Sequence, residues 1–408
     1  MNAVKTKPNP EARFAKPDPE GGSSPVGWVL CTRSGLDLLW GPSSLGFSMG
    51  QMGTVGLIAA MIARIATSPR PWKVPGPAFA FAAWVGFTLL RTPLDRLAWV
   101  YAGHWLGPLI LGLAVTVRPP PLLRLMRPAL FGVLFTLGVA AWMARPSGSG
   151  WIVLHGWSRL VGGHGNVHTL AATMALATPL AVGFALQAKR PSDRGLGWTV
   201  AIAAAIALIL TWVRASLLTA LLTGTVAWIA LRQWRWAMVL VGVGGILALG
   251  SGRFASLWKA AQGQAPSGGW DKLGSSRVEI WRHTLEDFAN AEPAVWLFGH
   301  GLGGHLASYR HFEPHSEVLA LLLQMGGIGL AIALWGWFAL GWALLRRTWT
   351  TPEAWVALGF GCWASATVLG PASNDLVTRT TAWWWMWALW AGGLAASRAR
   401  VPSRRPPA

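Results

Sequence analysis

Charge is what this sequence has least of. Charged side chains make up 12% of the 408 residues, about half the share usual in soluble domains. Only 15 residues are acidic against 34 Lys and Arg. So little charge beside 53% hydrophobic residues excludes an ordinary water-soluble domain. Cysteine is equally scarce: Cys31 and Cys362 both lie in apolar segments, so neither a disulfide framework nor a thiolate metal site organises the chain. Asp-x-Asp, the usual metal-binding signature of enzymes that use nucleotide sugars, does not occur. The histidines form no His-Glu-x-x-His pattern and have no cysteine partner, which argues against zinc. A basic start followed by a short apolar core and a small-residue cleavage site is also missing, so the first apolar spans are expected to act as the insertion signal.

What the sequence does have is apolar runs. Segments near or above the ~17–20 residues that cross a bilayer as a helix recur along nearly the whole chain. The pattern predicts an all-α polytopic membrane protein of about twelve helices, at 26–46, 49–67, 76–91, 97–117, 128–144, 166–187, 196–213, 215–231, 236–250, 317–345, 353–371 and 380–397. The first span carries Arg33 and Asp37, four apart and able to pair on one helix face. Residues 1–25 are rich in Pro, Lys, Glu, Gly and Ser and read as a disordered tail. Nine spans then fill 26–250, a long outer loop with short helices covers 251–316, three spans occupy 317–397, and 398–408 is a basic tail. The 29 tryptophans suit the headgroup level, or pack between helices.

The basic residues alternate with the spans. Lys5, Lys7, Arg13 and Lys16, then Arg64, Arg70 and Lys73, Arg118, Arg124 and Arg127, Lys189, Arg190 and Arg194, Arg232 and Arg235, Arg346 and Arg347, and the C-terminal arginines mark alternate connections. This is the positive-inside pattern with both tails cytoplasmic and 251–314 outside. The net charge of +19 is therefore mostly an orientation signal, with a secondary role in holding anionic membrane lipids. Nucleic-acid binding does not fit, because no soluble domain is large enough to present a groove-reading motif.

Arginines on the outer side fall outside that rule: Arg91, Arg96, Arg145, Arg159, Arg214, Arg277 and Arg379. Snorkelling to lipid phosphates explains any single one of them. Arg214 sits between two apolar runs with almost no polar linker, so a distant carboxylate or a ligand phosphate is its expected partner. Arg277 follows Ser276, which with Glu279 forms a capping-box signature, and Val278, Trp281, Leu285 and Phe288 recur at helical spacing. A cation in the first helical turn is disfavoured by the helix dipole unless an anion binds there. An exposed arginine on a loop helix is the alternative.

Histidines also gather on the outside, at 155, 164, 168, 283, 300, 305, 311 and 315. His315 has the best chemical position. It follows Pro314 and opens the apolar run that begins at Val318, where the helix dipole favours the neutral, proton-accepting imidazole. Three helical turns, about 16 Å, separate it from Gly326, and Gly326, Gly327 and Gly329 are expected to let a neighbouring helix approach closely. The glycines at 299, 301, 303 and 304 allow backbone N–H groups to approach an anion, or make a flexible loop. Glu313 and Glu317 are the carboxylates nearest the histidine.

These residues resemble the O-antigen ligase-like membrane proteins, which include lipopolysaccharide O-antigen ligases, O-antigen polymerases and bacterial O-linked oligosaccharyltransferases. The ligase pattern is His, then Asn, Ser or Gln, nine variable residues, Gly, two more, and Gly, Thr or Tyr. Here it reads His315, Ser316, Glu317 to Met325, Gly326, Gly327-Ile328, Gly329. Ser276 to Trp281, Phe298 to Gly303, and Arg214-Ala215-Ser216 resemble the family's outer loop and an earlier span end. The resemblance covers residues 150–345 and implies a lipid-donor (GT-C-like) glycosyltransferase of the inner membrane, working at the periplasmic face without metal, nucleotide or other cofactor. It implies transfer of a glycan from undecaprenyl diphosphate to a lipid A-core sugar, with His315 as general base and Arg214 and Arg277 on the diphosphate. Attack opposite the leaving group would invert the sugar carbon. Arg379, Gly301, Gly303 and Glu313 are secondary expectations, and Gly326 and Gly329 are expected to serve helix packing. An O-antigen or exopolysaccharide polymerase is the alternative within the family. A polyprenyl-linked glycan flippase is the alternative from another class, disfavoured because neither internal repeats nor discontinuous helices are evident in the sequence.

Overall fold

Each of the twelve apolar segments contains a helix in the computed structural model, which describes residues 24–36, 49–68, 74–93, 96–117, 119–145, 150–154, 157–162, 167–250, 277–304, 315–350, 353–372 and 381–398. In chain order the helices are α1 (Pro25–Leu36), α2 (Met49–Ala66), α3 (Gly76–Arg91), α4 (Arg96–Val117), α5 (Leu122–Met143), α6 (Val167–Gln187), α7 (Pro191–Thr211), α8 (Arg214–Ala230) and α9 (Trp234–Gly250). The outer-loop region supplies α10 (Arg277–Ala289) and α11 (Pro293–Phe298), and the chain closes with α12 (Glu317–Thr350), α13 (Ala354–Leu369) and α14 (Thr381–Arg398). The protein is mostly helical, and α4, α5, α6, α7 and α12 are long and apolar enough to cross a membrane. Helices α2, α8, α9 and α13 contain shorter apolar stretches. Asp37 lies outside the described residues, and with it the expected Arg33–Asp37 pair. Arg33 is buried beside the Trp384 ring, 5.7 Å from its centroid.

Two antiparallel strands, β1 (Trp151–Leu154) and β2 (Trp157–Leu160), were not legible in the sequence. Their alternation is masked by Trp and Leu on both faces. β2 packs against α7, and Gly150 accepts the amide of Val161 at 2.8 Å, closing the connection between α5 and α6.

Helix α6 is the centre of the bundle. Fourteen of its residues are buried, from Val167 to Ala185, with alanine at positions 171, 172, 175, 177, 181 and 185. Small side chains let helices approach closely where lipid gives no hydrophobic drive for association. Gly197 of α7 lies against Ala185, and Gly183 against Leu358 of α13. On the outside, α7 presents Trp198, Ile202, Ile206 and Ile209. A stripe of this kind would be a liability in water and is the expected lipid face of a membrane helix. Many tryptophans pack between helices instead: Trp337, Trp363, Trp383, Trp387 and Trp390 form a cluster with centroid spacings of 5.4 to 6.3 Å. The Nε1 groups of Trp363 and Trp390 donate to the carbonyls of Trp337 and Gly359 at 3.0 and 2.9 Å, tying α12, α13 and α14 together.

Two contacts fix the ends of the bundle. Arg127 on α5 pairs with Asp193 on α7 at 3.1 Å, joining two connections that the basic pattern places on one side. On α8 and α13, Thr223 bonds Ser365 at 2.9 Å while Gly361 lies against Thr223 and Ala227, so the two helices run antiparallel. Arg214, nine residues before Thr223, and Gly370, five after Ser365, therefore emerge at the same end, at about 13 and 8 Å from the contact.

Candidate functional site

A break in α12 builds the site. Gly326 has φ 68° and ψ −175°, a conformation open essentially only to glycine. It divides α12 into a short half, Glu317 to Met325, and a long half from Gly327 onward. The expectation of three unbroken turns between His315 and Gly326 is corrected at both ends. His315 precedes the helix, with a left-handed φ of 47°, and Gly326 interrupts it.

The break releases carbonyls that would have accepted the amides four residues on. Buried or at membrane depth, each would cost several kcal/mol if left bare. They find other donors: His300 N–H reaches Leu323 O at 2.7 Å, Gly301 N–H reaches Gln324 O at 3.1 Å, and the Trp84 indole of α3 reaches Met325 O at 3.1 Å. Gly299, with φ 72° and ψ −179°, repeats the conformation of Gly326. The two backbones touch, since a Cβ on Gly299 would lie 2.5 Å from Gln324 O and 2.6 Å from Gly326 N. What approaches Gly326 is thus the last turn of α11 together with Gly299, since a Cβ on Gly326 would meet the backbone of Leu297 and Phe298, and Gly327 faces Trp296 O. A helix does approach closely here, while Gly329 lies against the Trp84 indole.

This also settles the use of the glycine turn. Gly299 donates to Val295 O, Leu302 to Thr92 Oγ1 and Gly304 to Gly301 O, at 2.8, 2.9 and 3.1 Å. With the two donors above, five N–H groups of the turn are committed within the protein, Gly301 among them. Those of His300, Gly301 and Leu302 hold the turn on α12 and the end of α3, and those of Gly299 and Gly304 bond to α11 and within the turn. Gly303 has φ 80°. Desolvation of the partly covered His300 imidazole lowers its pKa below the usual value.

The backbone break makes a stability prediction. Gly326→Ala meets the Leu297 backbone and a forbidden dihedral, and is expected to cost at least the ~1–3 kcal/mol of such strained residues. Gly336→Ala, whose new methyl would lie 3.5 Å from Pro77 Cβ, is the matched control. Thermal unfolding in detergent should separate the two. Equal melting temperatures would mean that the break is not required.

Ser316 stands between His315 and the half-helix and caps it: its Oγ accepts the Leu319 amide at 3.4 Å, and its carbonyl accepts Ala320 N–H at 2.9 Å. Glu317, Ala320 and Gln324 follow at i, i+3 and i+7 on one buried face. Sequence reasoning missed this polar stripe, although a glutamine inside the run from Val318 to Met325 was its signal. Among the described residues, neither amide atom of Gln324 has a hydrogen-bond partner. Glu317 is only 5% exposed and touches the end of α13, its Cγ 3.9 Å from where a Gly370 Cβ would stand.

Below Glu317 runs an apolar cavity of about 500 Å³. Val318, Leu321, Leu334, Trp337 and Phe338 of α12 form one wall, with Phe81 of α3, Trp105 of α4 and Trp383 and Trp387 of α14 opposite. It follows α12 from Glu317 to Ala343, so its polar end is next to the Ser316 cap and its remainder is hydrocarbon-like.

The structure brings Arg214 and the Glu317 turn to the same end of the bundle. Arg214 is exposed and is the first residue of α8, entered through Trp212 in a left-handed conformation, φ 54°. Arg277 is the first described residue of α10, and the capping signature expected at Ser276 lies outside the described residues. The other end of α10 is bound to α11 by Trp296 Nε1 donating to Phe288 O at 2.7 Å. Two other outer arginines have structural employment: Arg91 lies over the Phe298 ring at 4.8 Å and donates to Phe298 O at 3.4 Å, and Arg145 lies 4.4 Å over Trp142. Glu313, Arg379, His155, His164, His305 and His311 fall outside the described residues. His283 sits 3.3 Å from Glu286 on α10. Among the described residues, no three His, Cys, Asp or Glu side chains come together as a metal site.

These features define a mostly helical protein with helices long and apolar enough to cross a membrane, one of them broken at Gly326 and lined by an apolar cavity. Comparison with protein-family models and with curated proteins finds no match to the chain. The O-antigen ligase-like resemblance therefore rests on the motif residues themselves.

Proposed function

We propose that the protein is a metal-independent glycosyltransferase of the inner membrane that moves a glycan from undecaprenyl diphosphate to an acceptor hydroxyl at the periplasmic face, as an O-antigen ligase acting on a lipid A-core sugar. The observation that carries this reading is the cavity along α12, which is apolar for its length and is lined at one end by Glu317, two residues after His315 in the chain. A substrate with a hydrocarbon tail and a polar reacting head has that distribution of polarity. His315 takes the proton of the acceptor hydroxyl as it attacks the sugar C1, and the C1–O bond to the diphosphate breaks with inversion. Arg214 and Arg277 hold the diphosphate and stabilise the charge that grows on it.

The proposal includes twelve membrane crossings, one each for α1 to α9 and α12 to α14, alternating in direction. Reporter fusions at Pro120, Lys189 and Thr351 are expected in the cytoplasm, and fusions after Gly250 and before Pro314 in the periplasm. A cytoplasmic signal from the last two overturns the mechanism, because a donor flipped to the outer leaflet would not meet His315. The deciding assay is a deletion strain. Loss of ligated O-antigen with retention of lipid-linked polymer identifies a ligase, and single-repeat lipopolysaccharide identifies a polymerase. The broken α12 is a feature also used by transporters. Retention of transferase activity by purified protein, with no ion gradient, separates the enzyme from a flippase.

A further inference from the structure

Resting on the transferase reading, we infer that Trp84 of α3 is a positioning residue for His315, acting through the short half of α12. Trp84 donates its indole N–H to Met325 O at 3.1 Å, the last carbonyl before the break. The half-helix from Glu317 to Met325 carries the Ser316 cap, and through it His315, but has no helical continuity with the long half because Gly326 interrupts the hydrogen-bond ladder. Its orientation is therefore set by what holds its C-terminal end.

Three donors do so, and two of them, His300 N–H and Gly301 N–H, belong to a turn that is itself anchored on α3 by Leu302 N–H to Thr92 Oγ1 at 2.9 Å. The third, Trp84, is the direct bond from the helical framework. Its ring is fixed in turn, stacked on Phe298 at 6.0 Å and tilted against Phe87 at 5.1 Å. Gly329 makes room for it, since a Cβ there would lie 2.5 Å from the indole nitrogen. The second motif glycine thus admits Trp84 to the carbonyl that the first glycine has exposed. A half-helix about 13 Å long amplifies small rotations at its base into displacement at His315.

The test is Trp84→Phe, which keeps an aromatic ring for Phe87 and Phe298 and removes the N–H. Amide hydrogen exchange on full-length protein in detergent reads the joint without reference to activity, and is expected to speed up at His300 and Gly301 about 3- to 10-fold, as one lost hydrogen bond of roughly 1 kcal/mol implies. Turnover is expected to fall about 10- to 100-fold at unchanged donor KM, the signature of misplacement and not of lost binding. Incorporation of 7-azatryptophan at position 84, which retains the ring N–H, should restore both. Unchanged exchange overturns the inference, as does faster exchange with wild-type turnover. If Trp84→Phe fails to fold, Gly329→Ala, which displaces the indole, provides the same two readouts. A wild-type protein with no transferase activity instead refutes the proposed function, and with it any positioning role, while the exchange arm still reports whether Trp84 holds the joint.

Discussion

His315→Ala is expected to abolish glycan transfer while leaving insertion, fold and donor binding intact. The loss should reach at least the ~10²–10⁴ attributed to a positioned general base. The backbone of His315 complicates a simple alanine substitution, because its φ of 47° disfavours alanine by about 1–2 kcal/mol. His315→Asn removes that ambiguity. Asparagine tolerates the left-handed region but offers no basic nitrogen, so it should be as inactive as alanine and better folded. Ser316→Ala supplies the converse control, losing a helix cap worth about 1 kcal/mol with turnover reduced only a few-fold. Activity should persist in EDTA and decline as the medium is acidified and the imidazole takes up a proton. Transfer by His315→Ala above about a tenth of the wild-type rate would be incompatible with this assignment. It would turn attention to Glu317, which is buried two residues away at the head of the cavity.

Substituting the arginines proposed to hold the diphosphate tests the same chemistry from the leaving-group side. Arg214→Lys and Arg277→Lys keep the charge but lose the forked donor geometry that matches phosphate oxygens. Each is expected to lower turnover by roughly 10²–10³, the cost of removing one well-placed donor to developing charge. Arg145→Lys is the comparison, since that guanidinium is occupied by the Trp142 ring 4.4 Å away and its loss should leave transfer near wild type. Near-normal transfer by Arg277→Lys would make Arg277 an ordinary exposed arginine on a loop helix. Arg214→Lys then decides whether the end of α8 takes part at all.

Much of the helical architecture was legible because its signal is local. Apolar runs and their basic flanks depend only on neighbouring residues, and helices stand within each of the twelve segments so located. The helical spacing of Val278, Trp281, Leu285 and Phe288 is likewise local, and α10 spans all four. The hairpin of β1 and β2 was illegible, because both faces of its strands carry large apolar residues. The glycines after Phe298 were legible as special but not in purpose: the turn they shape is held by the amides of His300 and Gly301 on α12, across a loop, and by Leu302 on Thr92 at the end of α3, and no local pattern encodes that.

By itself, then, the sequence determined the helical class, the alternation of basic ends and the motif from His315 to Gly329, each written in side chains within a few turns of one another. Only the tertiary structure decided that Gly326 is a break as well as a contact point. A glycine is equally compatible with a continuous helix and an interrupted one, and the choice is made by whether other donors reach the carbonyls that interruption releases. Here His300, Gly301 and Trp84 reach them. Those donors come from α3 and the turn after α11, and their supply is a property of packing that no stretch of sequence contains.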